Sequence, residues 1–181
     1  MLTLKQKKEL LSLARNAISA RFKHQTVTLP EDPAFSFHRG VFVSLHINGN
    51  LRGCIGYIKG YKSIAENVKE IAEAAAFQDP RFPPLTEKEL EKVTIEISIL
   101  GELIPLPKNE LPVIGRDGLY IQHPYGSGLL LPQVAVEYNW QPETFLREVC
   151  RKAGLPPTAY LDPASVVYRF TADVFSEADT F

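Results

Sequence analysis

Long apolar runs, an excess of one charge and a cysteine framework are all missing from this chain of 181 residues. It carries 20 basic against 21 acidic side chains, a formal net charge of -1, so no whole-chain field would draw it onto nucleic acid or an anionic membrane. Its two cysteines, Cys54 and Cys150, have neither a CxxC partner nor a nearby histidine cluster. We therefore expect two free thiols and no metal site.

The absence of a long apolar run also bears on where the protein resides. No stretch approaches the roughly 18 residues that a transmembrane helix needs. The segment from Met1 to Leu13 is interrupted by charged residues instead of forming a signal-peptide core. We therefore expect a cytoplasmic protein without a membrane partner. The 45% apolar and 23% charged composition is typical of a globular protein with one core or two small lobes.

Periodicity and capping signals predict a mixture of helices and strands. Capping boxes at Thr3-x-x-Gln6, Ser63-x-x-Glu66 and Thr86-x-x-Glu89 start two helices and a short helical turn. The predicted longer helices run from about Leu4 to Phe22, from Ser63 to near Gln78 and from Pro142 to Gly154. The predicted strands include Val41 to Ile47, Val93 to Ile99, Leu119 to Gln122, Gly128 to Leu131 and Val167 to Phe175. The proline-rich and glycine-rich middle indicates a smaller lobe around 101–132.

Asn48-Gly49 is the strongest hairpin signal in the chain. A two-residue turn gives the pairs Ile47–Asn50, Leu45–Arg52 and Val43–Cys54. A three-residue loop gives the pairs His46–Arg52 and Ser44–Cys54. Asn-Gly matches a type I′ turn, so we favour the two-residue turn, which places the Cys54 thiol on the apolar face.

The segment Leu51-Arg52-Gly53-Cys54-Ile55-Gly56, the LRGCIG motif, follows this turn. In an extended chain Arg52, Cys54 and Gly56 lie on one face. A guanidinium near a thiol favours the thiolate, and glycine lets a ligand approach the backbone. The pattern predicts a reactive or ligand-contacting Cys54, with Arg52 holding negative charge and Gly53 and Gly56 admitting the ligand. The alternative is a tight turn in a packed core, with Cys54 as a small buried hydrophobe.

Other residues are candidates for the same site. A nucleophilic cysteine needs a base, and His46, His38 and His123 are the candidates, none at a diagnostic spacing. In Asp79-Pro80-Arg81-Phe82, Asp79 either pairs with Arg81 or Arg52 as a structural clamp, or the rigid segment presents Arg81 to a ligand.

Three aromatic residues, Tyr125, Tyr138 and Trp140, offer a ledge for a base or sugar, or else close a core.

Gly126-Ser127-Gly128 lacks the Gly-Lys-Ser/Thr ending of a phosphate loop. We expect Cys150, on the apolar side of the last predicted helix, to be structural.

The sequence resembles the AMMECR-type domain family. The resemblance is carried by the LRGCIG motif and by four further segments, Ala74 to Leu85, Gly128 to Ala135, Cys150 to Pro157 and Val167 to Phe170. It covers nearly the whole chain, so we expect residues 1–181 to form a single domain of this type.

The resemblance implies an α+β fold with a mostly antiparallel sheet, flanking helices, and a larger and a smaller lobe with a cleft between them. It supplies neither a reaction nor a cofactor. Relatives occur fused to or encoded near Memo-like proteins and radical S-adenosylmethionine enzymes, which implies a role in modifying a biomolecule. Two hypotheses follow: an enzyme or enzyme partner that binds a small anionic or nucleotide-like ligand in the cleft at the LRGCIG motif, or a noncatalytic adaptor for a peptide or nucleic acid.

Overall fold

The structure, a computed structural model, describes residues 2–179. Contacts divide the chain into two compact units, Met1–Leu100 with Asp173–Phe181, and Gly101–Ala172. Each unit contains a four-stranded antiparallel sheet and helices that flank it, so the predicted α+β class is confirmed. Within residues 2–179, no helix combines the length and apolar character needed to cross a bilayer.

The first unit packs two long helices on one face of its sheet. Numbered in chain order, its helices are α1 (Leu4–Lys23), α2 (Ile64–Phe77) and α3 (Glu87–Leu90), and its strands are β1 (Val41–Ile47), β2 (Asn50–Tyr57), β3 (Val93–Leu100) and β8 (Ala172–Ser176). The strand order is β2-β1-β3-β8, which leaves β2 at an edge. Apolar residues of α1, α2 and the strands form one core.

The helix starts follow the predicted capping chemistry. Thr3, Ser63 and Thr86 each accept a bond from the third residue of their helix, whose Gln or Glu side chain bonds back to the capping residue. Each box satisfies two backbone donors that the first helical turn would otherwise leave without a partner. The three predicted capping boxes are confirmed.

The second unit has its own sheet and core. Its strands are β4 (Ile104–Pro105), β5 (Gly118–His123), β6 (Gly126–Leu130) and β7 (Val166–Phe170), in the order β4-β7-β5-β6, and its helices are α4 (Pro132–Glu137) and α5 (Pro142–Lys152). Leu119 and Ile121 of β5 pack with Phe145 and Val149 of α5. Cys150 is fully buried in this core, as expected of a structural cysteine.

The single last strand predicted from Val167 to Phe175 is wrong, because the chain changes sheets at Thr171. β7 belongs to the sheet of the second unit and β8 to that of the first. The Thr171 carbonyl accepts a bond of 2.7 Å from the Gly101 backbone N–H, which holds the crossing point. Val167 enters the second core and Phe175 the first, so the two strands contribute to different cores.

Gly53 lets α2 approach the edge strand β2 closely. A Cβ atom built on Gly53 would lie 2.2 Å from the carbonyl oxygen of Ala75, a backbone atom of α2. Real Cβ atoms do not approach this closely, so any side chain would push the helix away from the sheet. The predicted role of Gly53 in admitting a ligand therefore competes with a packing requirement.

We predict that Gly53→Ala lowers the free energy of unfolding by about 1 to 3 kcal/mol, the usual cost of overpacking a well-filled site. Urea denaturation measures this change. Leu51→Ala, at an exposed position of the same strand, is the control and should change stability by less than about 0.5 kcal/mol. Equal stability of the Gly53→Ala variant and the unmodified protein would contradict the packing requirement.

Candidate functional site

The turn between β1 and β2 has two residues. Asn48 and Gly49 both have positive φ angles, 52° and 78°, which a type I′ turn requires. Ile47 pairs with Asn50 across the turn. The favoured two-residue turn is confirmed.

The predicted register beyond the turn is wrong because β2 carries a bulge. Leu45 pairs with Gly53 and His46 with Leu51, so Arg52 is the extra residue. The bulge shifts the ladder by one position, and Cys54 faces Ser44 instead of Val43. The two-residue turn therefore coexists with the Ser44–Cys54 pair that the three-residue loop had required.

The shift moves the Cys54 thiol off the apolar face. Its neighbours Gly53 and Ile55 pair with the core residues Leu45 and Val43, so alternation places Cys54 on the opposite face. The side chain is partly buried there.

The thiol is hydrogen-bonded and its charged form is disfavoured. The Ser44 hydroxyl donates to Cys54 Sγ over 3.2 Å, and Ser44 also pairs with Glu96 of β3, so the three residues form one row across the sheet. Burial raises the pKa of the Cys54 thiol above its ordinary value. The Ser44 bond and the Arg81 cation oppose this shift, and the acids Asp79 and Glu96 reinforce it. The resting group is therefore a neutral thiol at neutral pH.

Arg52, predicted to hold a ligand's negative charge, is engaged by an acid of the protein. Its Nε and Nη2 atoms donate to the two carboxylate oxygens of Glu89 over 2.9 and 3.2 Å. These bonds lower the pKa of Glu89 to about 2. Glu89 also accepts from the Thr86 backbone N–H and hydroxyl. The Arg52 side chain is only 12% exposed and that of Glu89 34%, so the acid is the more accessible partner.

Asp79 and Arg81 close the free edge of β2 at Cys54. The Asp79 carboxylate accepts from the Cys54 backbone N–H over 2.9 Å and from the Arg81 backbone N–H over 3.0 Å. It also accepts from Arg81 Nε and Nη2 over 3.0 and 2.7 Å. Arg81 Nη2 donates in turn to the Cys54 carbonyl over 3.3 Å. An acid and a cation thus take both outward-facing backbone groups of Cys54, which a neighbouring strand would otherwise bond.

In the Asp79–Arg81 pair the acid is buried and the cation is exposed, the reverse of the Arg52–Glu89 pair. The Asp79 side chain is 2% exposed and that of Arg81 51%, so the buried partner is negative and the accessible one positive. The hydrogen bonds from Arg81 contribute most to a pKa of Asp79 well below its usual range, and burial opposes them. The ring of Phe82 lies beneath both cations, with its centroid 5.5 Å from Cζ of Arg81 and 5.8 Å from Cζ of Arg52.

Gly56, the last residue of the motif, is covered by an aromatic ring. It pairs with Phe42 of β1, and a Cβ atom built on it would lie 2.2 Å from that ring. As at Gly53, protein atoms occupy the space that the missing side chain leaves.

The histidines are distributed over both units. His46 lies on β1 opposite Leu51 and Thr94, one row from the Ser44–Cys54 pair and closer to the turn. His123 ends β5 of the second unit, where its Nδ1 accepts from the Tyr125 backbone N–H over 3.1 Å and its Nε2 lies 3.5 Å from Asp162 Oδ2.

Two partners of the site were missed from the sequence. Glu89 was assigned only as a capping residue, and Glu96 only as part of the strand predicted from Val93 to Ile99. Alternation places Glu96 and Ser44 on the faces of β3 and β1 opposite the core, but the register between these two strands, which makes them neighbours, has no signal in the sequence. No local signal links Glu89 to Arg52, because 37 residues separate them.

Comparisons with known proteins match most of the length of this chain. A family model described as AMMECR1 matches residues 11–175. A protein of Methanothermobacter thermautotrophicus is 43% identical over 93% of this chain and 92% of its own length. Protein MJ0810 of Methanocaldococcus jannaschii is 40% identical over 99% of this chain and 94% of its own. The crystal structure of uncharacterized protein PH0010 from Pyrococcus horikoshii superposes with a TM-score of 0.86 at 38% identity, over 93% of this chain and 90% of that one.

We predict that alkylation of Cys54 has a pH midpoint above the ordinary thiol value of about 8.5, since burial disfavours the thiolate. Ser44→Ala should raise the midpoint further, because it removes a bond that lowers the thiol pKa. Iodoacetamide labelling followed by peptide mass spectrometry measures the rate at each pH. Cys150, which is fully buried, should label much more slowly in the folded protein. A Cys54 midpoint below about 8.5, or a fall on Ser44→Ala, would contradict this assignment.

We predict that Asp79→Asn lowers the free energy of unfolding at pH 7 by roughly 1.5 to 3 kcal/mol, as expected for loss of hydrogen bonds to a buried charged group. Because the folded-state pKa of Asp79 lies below its unfolded value of about 3.9, its contribution is complete above that pH. The contribution is lost as the pH falls towards the folded-state value. Denaturation at pH 7 and at lower pH should show the gap between the two proteins narrowing.

Glu89→Gln is the matched control for this experiment. The pKa of Glu89 is also lowered, but its side chain is more exposed, and pairs of that kind contribute about 0.2 to 1 kcal/mol. Equal losses for the two variants at pH 7 would show that the Asp79 clamp does not dominate the stability of this edge.

Proposed function

We propose, from the premise that this chain belongs to the AMMECR1 family, that the protein binds a small anionic or nucleotide-like ligand beside the LRGCIG motif. Arg81 would hold the negative charge and the neutral Cys54 thiol would contact the ligand. The observation that carries the proposal is the half-exposed Arg81 guanidinium fixed against the Cys54 backbone by a buried acid.

The two arginines of the site differ in what an approaching anion would meet. At Arg81 the acid is buried and the guanidinium is accessible, so the accessible end of the pair is positive. At Arg52 the guanidinium is mostly covered and Glu89 is more exposed, so an anion would first meet negative charge. Arg81 therefore replaces Arg52 as the ligand's cation in this proposal.

Fixing the guanidinium in advance favours binding. Arg81 is held by Asp79, by the Cys54 carbonyl and above the Phe82 ring. A flexible arginine loses side-chain entropy when it binds an anion, whereas an arginine already held in place loses less. The fixed cation and the neighbouring thiol would present two contacts to the same ligand.

The raised thiol pKa supports a contacting role for Cys54 over a nucleophilic one. Nucleophilic attack uses the thiolate, and burial disfavours that form here. The site would therefore bind a ligand for an enzyme or for a partner of an enzyme, and groups other than Cys54 would carry the reaction.

Exposed aromatic residues of the first unit favour the second candidate, a noncatalytic adaptor for a peptide or nucleic acid. Phe37, Tyr57 and Tyr61 are exposed. The Phe37 carbonyl accepts from the Ile64 backbone N–H, so Phe37 lies beside the start of α2. Aromatic side chains at a surface are common anchors for peptides and single-stranded nucleic acids.

We predict that millimolar pyrophosphate or AMP slows the alkylation of Cys54, and that Arg81→Gln weakens this protection by about 10- to 100-fold in ligand concentration, the usual effect of losing a charge-assisted contact. Labelling rates measured against ligand concentration give the midpoint of protection. Melting temperatures of each variant identify any loss of folding.

Arg116→Gln is the matched control. Arg116 is 51% exposed and pairs with the 2% exposed Asp117, the same arrangement in the second unit, so this variant should keep full protection. The proposal would be overturned if neither pyrophosphate nor AMP slowed the alkylation of Cys54. It would also be overturned if Arg81→Gln and Arg116→Gln were protected equally. Protection by a peptide or oligonucleotide alone, reduced by Tyr61→Ala, would establish the adaptor function in its place.

A further inference from the structure

The outer face of the second unit's sheet carries a depression of about 610 Å³. Its floor and walls include Tyr120, Gln122, Ser127 and Val166, with Tyr125 at the rim. We propose that this depression binds a neutral, planar heterocycle of the nucleobase type. The inference concerns a site separate from Cys54 and does not depend on the proposed function.

The register of the sheet brings these residues together. Leu119 and Ile121 of β5 point into the core, so alternation places Tyr120 and Gln122 on the outer face. Gln122 pairs with Val166 of β7 on one side and with Ser127 of β6 on the other. The apolar side chain of Val166, the amide of Gln122 and the hydroxyl of Ser127 thus lie in one row across β7, β5 and β6.

The lining favours an uncharged ligand. None of its residues is Asp, Glu, Lys or Arg. The lining includes His123, whose Nδ1 accepts from the Tyr125 backbone N–H and whose Nε2 lies 3.5 Å from the carboxylate of Asp162. The lining therefore has no lysine or arginine to hold phosphate or carboxylate, and the Asp162 carboxylate next to His123 adds negative charge nearby, which disfavours an anion.

The floor offers hydrogen bonds of both kinds. Gln122 Nε2 donates to the Tyr120 hydroxyl over 3.1 Å. A primary amide carries two N–H donors and a carbonyl acceptor, and a serine hydroxyl both donates and accepts. Gln122 and Ser127 therefore match the mixed donor and acceptor edge of a nucleobase.

Tyr125 supplies a stacking surface at the rim. Its side chain is 89% exposed, yet its position is held by the backbone bond to His123 and by ring contact with that histidine, at a centroid distance of 5.3 Å. An exposed ring held in place is suited to stack on a flat ligand. Behind it, Tyr120 stacks on Tyr168 at 6.0 Å, which keeps the floor rigid.

The proposal is tested by titrating the protein with adenosine, uridine, glucose and inorganic phosphate. Saturation-transfer NMR and calorimetry measure the binding. We expect saturable binding of at least one nucleoside, and inorganic phosphate should not compete with it. Tyr125→Ala should weaken nucleoside binding by about tenfold or more, because base–aromatic stacking contributes roughly 1 to 3 kcal/mol. Gln122→Leu should weaken it further by removing the hydrogen-bonding amide.

Tyr138→Ala is the matched control, since Tyr138 is 67% exposed in the same unit but stacks on Trp140 outside the depression. It should leave nucleoside binding unchanged. Failure of both nucleosides to saturate, equal losses in Tyr125→Ala and Tyr138→Ala, or binding of glucose in place of nucleosides would overturn the assignment.

Discussion

The carboxylate of Asp79 is the group on which the site around Cys54 depends. Buried beside the edge strand, it accepts hydrogen bonds from the backbone of Cys54 and from the backbone and side chain of Arg81. A buried carboxylate is stable only when such donors surround it. One acid thereby closes the edge of β2, fixes the cation beside the thiol and shapes the turn after α2.

The end of α2 fits against two consecutive residues of β2. The Ala75 carbonyl approaches Gly53 so closely that a side chain would not fit, and Asp79, four residues later, bonds the next residue of the strand. The glycine and the cysteine of the motif are thus placed by the same segment of chain. The outward-facing amide and carbonyl of Cys54 also explain why its side chain meets that of Ser44, since side chains lie closer in pairs that do not exchange backbone bonds.

Features set by neighbouring residues were predictable from the sequence. The capping boxes at Thr3, Ser63 and Thr86 depend on contacts three residues apart, and the Asn48-Gly49 turn on the φ angles of its own two residues, so each was recognised correctly. The resemblance to the AMMECR-type family, quoted on long segments, likewise identified the family. The cleft between the two lobes and the reactive role of Cys54 stay predictions.

Features set by distant contacts were not predictable. The bulge at Arg52 accompanies an ion pair with Glu89 and the approach of Ala75 to Gly53, neither of which leaves a local signal. That single extra residue moved Cys54 to the other face, where the Arg81 cation lowers the pKa of its thiol. The change of sheets at Thr171 also depends on distant contacts, since β7 pairs with β5 and β8 lies next to β3.

The most direct test of the Asp79 clamp is hydrogen exchange at the Cys54 backbone amide, read by NMR. This N–H points away from β1 at a sheet edge, and without Asp79 it would exchange like an unprotected amide. The account predicts protection by about 100-fold or more in the unmodified protein, lost in Asp79→Asn, while the Ile55 amide, which alternation directs towards β1, stays protected in both. Rapid exchange of the Cys54 amide in the unmodified protein would contradict the account.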